Sequence, residues 1–391
     1  MARRVIALLT LALAGCGGDD GNFSQFPGFD EYFAANPPVE TVPTAVETAL
    51  LERHRPRVFL PPGHAGPIGF YEDYIASGTL SDGAGAVVSD DVTPALLNAY
   101  KDDPDATFVH VPRPPVGPPV VFARIDRDMV SVGDERYEFT FLTYHLVFRS
   151  SGLSHGLPAW QRGLADVIAD ADDWHQLDHY TAVTLALAGD GGPPVAMTLQ
   201  QHNYMRTYVF GEDVALPADG RVEVDVALGS NELYPHDPAP RRHRAAAFMT
   251  PDTLPYLVEG GEAPAMAAED LTHGATEIDY RLQPLAPADA FYSFKGWLGE
   301  RRWLPGRDGP PGAAYNTLPT LKPLGRQLVA FYWRDGDAEY VALASRMTEN
   351  WRTGADPATL DRLGERFVVA WRCQEPPVQV AACEQAGTVT Q

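Results

Sequence analysis

The chain has 391 residues, a formal net charge of −22 and a hydrophobic content of 45%. This apolar content is enough for a substantial core, and the length allows one large domain or two. The negative charge argues against nucleic acids and anionic lipid headgroups as partners, because binding to either relies on positive charge.

The first residues predict an export signal. Arg3 and Arg4 precede a nine-residue apolar run, which is too short to span a bilayer as a helix of about 20 residues. The segment Leu13-Ala-Gly-Cys16 that follows resembles the lipobox of bacterial lipoproteins. This resemblance implies cleavage before Cys16, diacylglycerol on its sulfur and an acylated amino terminus. The alternative is an ordinary secretory signal in which the cysteine is accidental.

Lipidation at Cys16 predicts a protein held on the bacterial cell envelope by its acyl chains, since two or more such chains give stable attachment. Gly17 follows the cysteine, and the absence of an aspartate there favours the outer membrane over the inner one. Loss of residues 1–15 would remove two arginines and no acid, which takes the mature charge from −22 to −24. Residues 16–40 lack periodicity and predict a flexible tether.

The first half of the chain predicts short helices and then strands. Helices are expected at residues 41–54, with Val42, Val46, Ala49 and Leu50 on one face, and at residues 93–100 and 158–170. Residues rich in β-branched and aromatic side chains predict strands at 57–60, 107–111, 120–124 and 136–149. The last of these is apolar on both faces, so we expect it at the centre of a sheet, with His145 as a hydrogen-bonded core histidine.

The second half predicts more strands and then helices. Residues 181–187 and 195–199 flank the turn-like segment Gly189-Asp-Gly-Gly-Pro-Pro194, and residues 222–228 alternate as a further strand. Residues 260–325 indicate mostly loop, and residues 338–351 and 356–371 indicate two amphipathic helices. The predicted fold is therefore mainly β. A β-sandwich core with peripheral helices and long loops spans residues 41–325, and a helical extension spans residues 326–391.

Cys373 and Cys383 are the only cysteines besides Cys16. An exported protein meets oxidising conditions, so we expect these two residues to form a disulfide bond. A loop this short would gain roughly 2.5–3 kcal/mol of stability from the bond.

Polar chemistry is concentrated around the predicted hairpin. Asp173, His175 and Asp178 precede its first strand, and His202 follows its second. Antiparallel pairing would bring Asp178 and His202 to the same end of the hairpin. Carboxylates and imidazoles can hold a divalent cation, with Ca, Mg and Zn not distinguished here, or can act as an acid and a base. The alternative is a solvated acidic helix end followed by polar loop residues.

The order of several motifs resembles the plant and fungal vacuolar-protein-sorting-associated family and, more remotely, the necrosis- and ethylene-inducing toxins. The matching segments are Gln201-His202, Val226-Ala-Leu-Gly-Ser-Asn-Glu-Leu-Tyr-Pro235, Phe294-Lys-Gly-Trp-Leu-Gly299 and Gly309-Pro-Pro-Gly312. The resemblance implies a β-sandwich over about residues 55–320. It also points to a divalent-cation site, which the toxins build in part from the aspartate and glutamate of a Gly-Asp-Trp-Glu segment.

This chain departs from that family pattern at two positions. The segment aligns best with Leu177-Asp-His-Tyr180, which keeps only Asp178, while the alternative alignment puts His175 where the glutamate stood. Asn231 also replaces the histidine of the family's Gly-Ser-His segment. The toxin activity therefore does not transfer to this chain.

Two functions from different classes remain. One is a binding or structural lipoprotein of the cell envelope, whose ligand would be a carbohydrate or another envelope protein. The alternative is an extracytoplasmic metal-dependent hydrolase that uses Asp178 and His202 as ligands or as acid and base. A serine hydrolase is disfavoured, because Ser154-His155 lacks the Gly-x-Ser-x-Gly context of a nucleophile elbow. Trp297, Trp303 and Tyr315 would either line a carbohydrate groove or pack in the interior.

Overall fold

The computed structural model describes residues 42–132, 135–152, 159–168, 170, 173, 175–179, 181–188, 191–201, 204–211, 214–238, 241–242, 271–272, 276–286, 288–302 and 309–313. The expected signal, tether, C-terminal helices and disulfide lie outside these residues. Within them, no helix is both long enough and apolar enough to cross a membrane.

The described chain has four α-helices: Ala45–Arg53 (α1), Pro94–Ala99 (α2), Ala159–Ile168 (α3) and Ala290–Ser293 (α4). Its first eight strands are Arg57–Leu60 (β1), Gly78–Ser81 (β2), Val87–Ser89 (β3), Thr107–His110 (β4), Val120–Val132 (β5), Glu135–His145 (β6), Phe148–Ser151 (β7) and His175–Asp178 (β8). The later strands are Ala182–Ala188 (β9), Pro194–Gln201 (β10), Tyr204–Val209 (β11), Glu223–Val226 (β12), Leu233–Pro235 (β13), Arg241–Arg242 (β14), Leu271–Thr272 (β15), Thr276–Ile278 (β16) and Arg281–Pro284 (β17).

Two large sheets form a sandwich, which confirms the predicted mainly β fold with short helices and long loops. One sheet has six strands in the order β11-β10-β9-β6-β5-β17, and the other has four in the order β13-β12-β1-β16. A three-stranded sheet, β3-β2-β4, and two strand pairs, β7-β8 and β14-β15, complete the described structure.

The main core lies between the two large sheets. Leu142 and Tyr144 of β6 and Val183 and Leu185 of β9 pack in one buried cluster with residues of the four-stranded sheet such as Val224. Alternation along each strand turns these side chains to the same face of the six-stranded sheet. A second cluster lies on the opposite face of β5, where Phe122 packs with side chains of the three-stranded sheet and α4. The position of β6 between these layers explains why both of its faces are apolar.

Four details differ from the sequence prediction. The strand expected at residues 136–149 divides after His145, and β7 pairs with β8 instead of extending the large sheet. Residues 260–325, predicted mostly as loop, supply β16 and β17, which pair with β1 and β5. Val46 of α1 is 80% exposed. The helix instead buries Leu51, and its start is capped by Thr44 together with Glu47.

The glycines of the segment Phe294-Lys-Gly-Trp-Leu-Gly299 allow close backbone packing. Trp297 N–H donates to the carbonyl of Ala106, and Phe108 N–H donates to the carbonyl of Trp297, both at 2.8 Å. A Cβ atom at Gly296 would lie 2.2 Å from the Ala106 carbonyl oxygen. Gly299 likewise sits against Gly309, where a Cβ at Gly309 would lie 2.3 Å from the Gly299 Cα. These motif residues therefore have a structural role.

We predict that Gly296→Ala lowers the free energy of unfolding by about 2–3 kcal/mol, because the new methyl group must displace backbone. The matched control is Gly163→Ala in α3, where nothing lies within 4 Å of the added Cβ. That control should be neutral or stabilising by up to about 1 kcal/mol, since alanine favours helix. Denaturant unfolding of the purified proteins measures both. Equal stability of Gly296→Ala and wild type would contradict the prediction.

Candidate functional site

Asp173, His175 and Asp178, three of the residues singled out in the sequence, lie on and beside the strand pair β7-β8. Asp178 ends β8 opposite Phe148 of β7, and His175 begins it opposite Ser151. Asp178 lies just before the predicted hairpin, whose first strand, β9, starts at Ala182. The hairpin itself forms as expected, with Leu187 opposite Pro194. His202 lies outside the described residues, so its distance from Asp178 stays a prediction.

Asp178 is 8% exposed and accepts hydrogen bonds from neutral donors on both carboxylate oxygens. The Thr181 hydroxyl lies 2.9 and 3.0 Å from the two oxygens, and the Asn231 amide nitrogen lies 2.8 Å from Oδ2. A buried carboxylate needs such partners, because leaving it unpaired would cost several kcal/mol, of the order of 3–5. Asp178 is therefore held in place from two sides.

The Asn231 side chain has one orientation that satisfies all its neighbours. Its Nδ2 donates to the Ser150 carbonyl at 3.0 Å as well as to Asp178, and both of these groups are acceptors. Its Oδ1 then faces His64 Nε2 at 3.0 Å. The backbone of Asn231 has φ 61°, in the left-handed region that asparagine tolerates better than most residues.

His64 completes the arrangement as a neutral imidazole. Gly66 N–H donates to His64 Nδ1 at 2.9 Å, so the ring proton is on Nε2 and is donated to Asn231. Burial lowers the pKa of His64, and the hydrogen bond to Asn231 opposes this effect. We call the chain of contacts from Asp178 through Asn231 to His64 the polar bridge. It joins segments of the chain that are distant in sequence.

Asp173 and His175 contact other groups. Arg302 donates to the Asp173 carboxylate at 2.7 Å and to its carbonyl at 2.9 Å. His175 Nδ1 lies 3.5 Å from the Ser151 hydroxyl. Within the described part of the chain, no group of three His, Cys, Asp or Glu side chains is arranged to hold a metal ion.

Donors already contact both oxygens of the Asp178 carboxylate. Hydroxyl and amide donors point their hydrogens at the oxygens that a cation would need, and the Asn231 oxygen that could bind a cation is turned to His64 instead. The sequence prediction of a cation also includes His202, and it stays a prediction there.

A second polar pair was missed in the sequence. Asp225, fully buried on the outer face of the four-stranded sheet, accepts from His236 Nδ1 at 2.7 Å and from Asp237 N–H at 3.0 Å. Burial raises the pKa of Asp225, and the hydrogen bond from His236 opposes that rise. His236 stacks on Phe59 with 3.8 Å between ring centroids. The alternation of Val222-Glu-Val-Asp-Val226 already turned Asp225 away from the core, but nothing local identified His236 as its partner.

Two histidines are buried beneath α4. His145 and His179 are fully buried and meet the Phe291 ring edge-on, at 5.8 and 5.3 Å between centroids. Among the described residues, neither ring nitrogen of His145 has a hydrogen-bond partner, contrary to the hydrogen-bonded histidine expected there. Burial lowers the pKa of both residues to about 3. Both are therefore neutral in the folded protein at physiological pH.

Comparisons with known proteins give little support for any family or function. No model of a known protein family matches the chain, and no curated protein matches it. One solved structure similar to part of the chain is that of Necrosis and Ethylene inducing Protein 2 from the causal agent of cocoa's witches' broom disease. The similarity has 14% sequence identity and a TM-score of 0.25, and it covers 51% of this chain and 73% of that one. At this score the likeness is weak and supports no conclusion about function.

We predict that Asn231→Gly lowers the free energy of unfolding by about 2–3 kcal/mol, because it removes a donor to the buried Asp178 carboxylate. Glycine also adopts the left-handed backbone conformation. The loss of stability therefore measures the contribution of the asparagine side-chain amide. The neighbouring change Ser230→Gly removes a hydroxyl that only accepts from Glu232 N–H at 3.5 Å, and it serves as the control. Similar denaturant midpoints for the two variants would show that the polar bridge contributes nothing.

We also predict that stability falls as the pH is lowered from about 6.5 toward 3. Unfolded histidine has a pKa of about 6.5, so in this range the unfolded chain takes up protons that folded His145 and His179 do not. Each histidine contributes a slope of about 1.4 kcal/mol per pH unit. Burial raises the pKa values of Asp225 and Asp289, so near pH 4 these two carboxyl groups make stability rise as the pH falls, opposite to the histidines. His145→Leu should reduce the slope measured by denaturant unfolding between pH 6 and 5, and an unchanged slope would refute this assignment.

Proposed function

We propose that this chain is an exported, lipid-anchored protein of the bacterial cell envelope that acts by binding, without catalysis. The observation that carries the binding half of this proposal is the polar bridge. It engages the Asp178 carboxylate, one of the two groups that the hydrolase hypothesis uses, together with the nearby His64 imidazole. The lipid-anchored half rests on Leu13-Ala-Gly-Cys16.

Catalysis by this cluster would require a group with a lone pair or proton directed at a substrate. His64 has Gly66 on one ring nitrogen and Asn231 on the other. The Asp178 oxygens face Thr181 and Asn231 in the same way. Breaking either contact to bind a substrate would leave a buried polar group unpaired, at a cost of about 1–3 kcal/mol. This favours a structural role for the polar bridge.

The resemblance to the vacuolar-protein-sorting-associated family supports the same proposal. The glycines of its late motifs pack backbone against backbone in this chain, as Gly296 does against Ala106. What the resemblance suggests is therefore a shared scaffold. The weak likeness to a necrosis- and ethylene-inducing protein adds no activity.

The proposed ligand is neutral or cationic, because the mature chain would carry a charge near −24. A carbohydrate or another envelope protein fits this requirement. Trp297 offers limited room for a sugar, since the Arg301 guanidinium already lies 4.5 Å from its ring centroid. A protein partner is therefore the class we favour. The competing hypothesis is a metal-dependent hydrolase that uses His202.

Two measurements on the expressed full chain test the proposal. Palmitate should label the wild type and place it in the membrane fraction, whereas Cys16→Ser should remain unlabelled, because the acceptor sulfur is missing. Cys373→Ser is the matched control and should label normally. Labelling of Cys16→Ser at the wild-type level would overturn the lipid anchor.

The second measurement is metal analysis of the purified protein after dialysis. We expect no cation at the level of one per chain. One equivalent retained by the wild type and lost in both Asp178→Asn and His202→Ala would contradict the binding proposal and support the hydrolase.

A further inference from the structure

Helix α3 exposes the apolar face that an amphipathic helix normally buries. Trp160, Leu164 and Val167 follow the i, i+4, i+7 spacing of one helical face. Trp160 is 59% exposed and Val167 is 83% exposed, while Leu164 is half-buried. Neither hydrophobic cluster of the described residues includes these three side chains. We call this surface the α3 face.

Helix α3 lies in an insertion whose two flanking segments contact the rest of the fold. The helix belongs to an insertion that leaves after β7 and returns at β8, where Ser151 pairs with His175. The return is fastened by the double contact of Arg302 with Asp173. Both ends of the insertion are therefore tied to the same edge of the fold.

A second exposed apolar segment lies in the loop that follows β4. Val111 is 56% exposed and Val116 is 78% exposed. Arg113 lies between them, and Arg149 of β7 donates to its carbonyl, which ties this loop to the base of the insertion. Four prolines in residues 112–118 restrict the loop further. This loop thus places two exposed valines near β7, where the insertion begins.

We propose that the α3 face docks on the zwitterionic lipid surface of the membrane that holds the acyl chains of Cys16. This inference rests on the proposed lipid anchor. Tryptophan favours the boundary between headgroups and hydrocarbon, because its ring is apolar and its N–H finds polar partners there.

Charge and chain length are consistent with this occupant. A protein of net charge −22 is repelled by an anionic surface but not by a zwitterionic one. The 25 residues at 16–40 can extend up to about 80 Å at roughly 3.3 Å per residue, which is enough for any side of the domain to reach the membrane. The acyl chains would supply the attachment, and the α3 face would fix the orientation of the domain.

The test uses full-length lipidated protein in phosphatidylcholine vesicles, with Cys373 and Cys383 replaced by serine. An environment-sensitive dye is attached at Val167→Cys, and at Val46→Cys as the matched control. Both are helical valines with similar exposure, 83% and 80%. We expect the emission of the dye at position 167 to shift to shorter wavelength and to be quenched by spin-labelled lipid. The dye at position 46 should keep its aqueous emission.

The outcomes separate this inference from the proposed function. Failure of the protein to float with the vesicles would overturn the lipid anchor. Floating protein with aqueous emission at both positions, or with a shift at both, would overturn only the α3 docking. A shift at position 167 that appears without vesicles and grows with protein concentration would show that a second copy covers the α3 face, which also overturns docking on lipid.

Discussion

The apolar interface between the two large sheets is the contact on which the rest of this structure depends. Leu142, Tyr144 and Leu185 fill it from the six-stranded sheet, and Val224 and Val226 fill it from the four-stranded sheet. Burial of each such side chain contributes roughly 1.5–3 kcal/mol, so together they outweigh any single polar contact described here. The interface holds the strands in place, and the loops begin where these strands end. It therefore also determines the positions from which the loops start.

The polar bridge shows what that fixed geometry makes possible. Asp178, Asn231 and His64 lie on three separate segments, yet each finds a partner at 2.8–3.0 Å. A buried polar network is stabilising only when all its members are satisfied. Here the amide nitrogen of Asn231 donates to the Asp178 carboxylate, and its amide oxygen accepts from His64.

The proposals assign different roles to two regions of the molecule. The end of the sandwich that carries the polar bridge is closed and serves stability. Helix α3, inserted between β7 and β8, places apolar side chains in solvent, where they lower solubility unless something covers them. In the proposed arrangement, a membrane held nearby by acyl chains would cover them at little entropic cost, because the proposed tether would confine the domain to the membrane surface. Orientation on the membrane would then decide which loops face a partner.

The sequence by itself determined the local elements. The β-branched and aromatic side chains of residues 57–60 predicted β1 at its observed bounds, and the glycines and prolines at 189–194 predicted the hairpin β9-β10. Only the tertiary structure determined which residues contact Asp178. Asn231 lies 53 residues away along the chain, and His64 lies 167 residues from Asn231. Local propensity carries no information about such pairs, because they depend on sheet order and on where β6 ends.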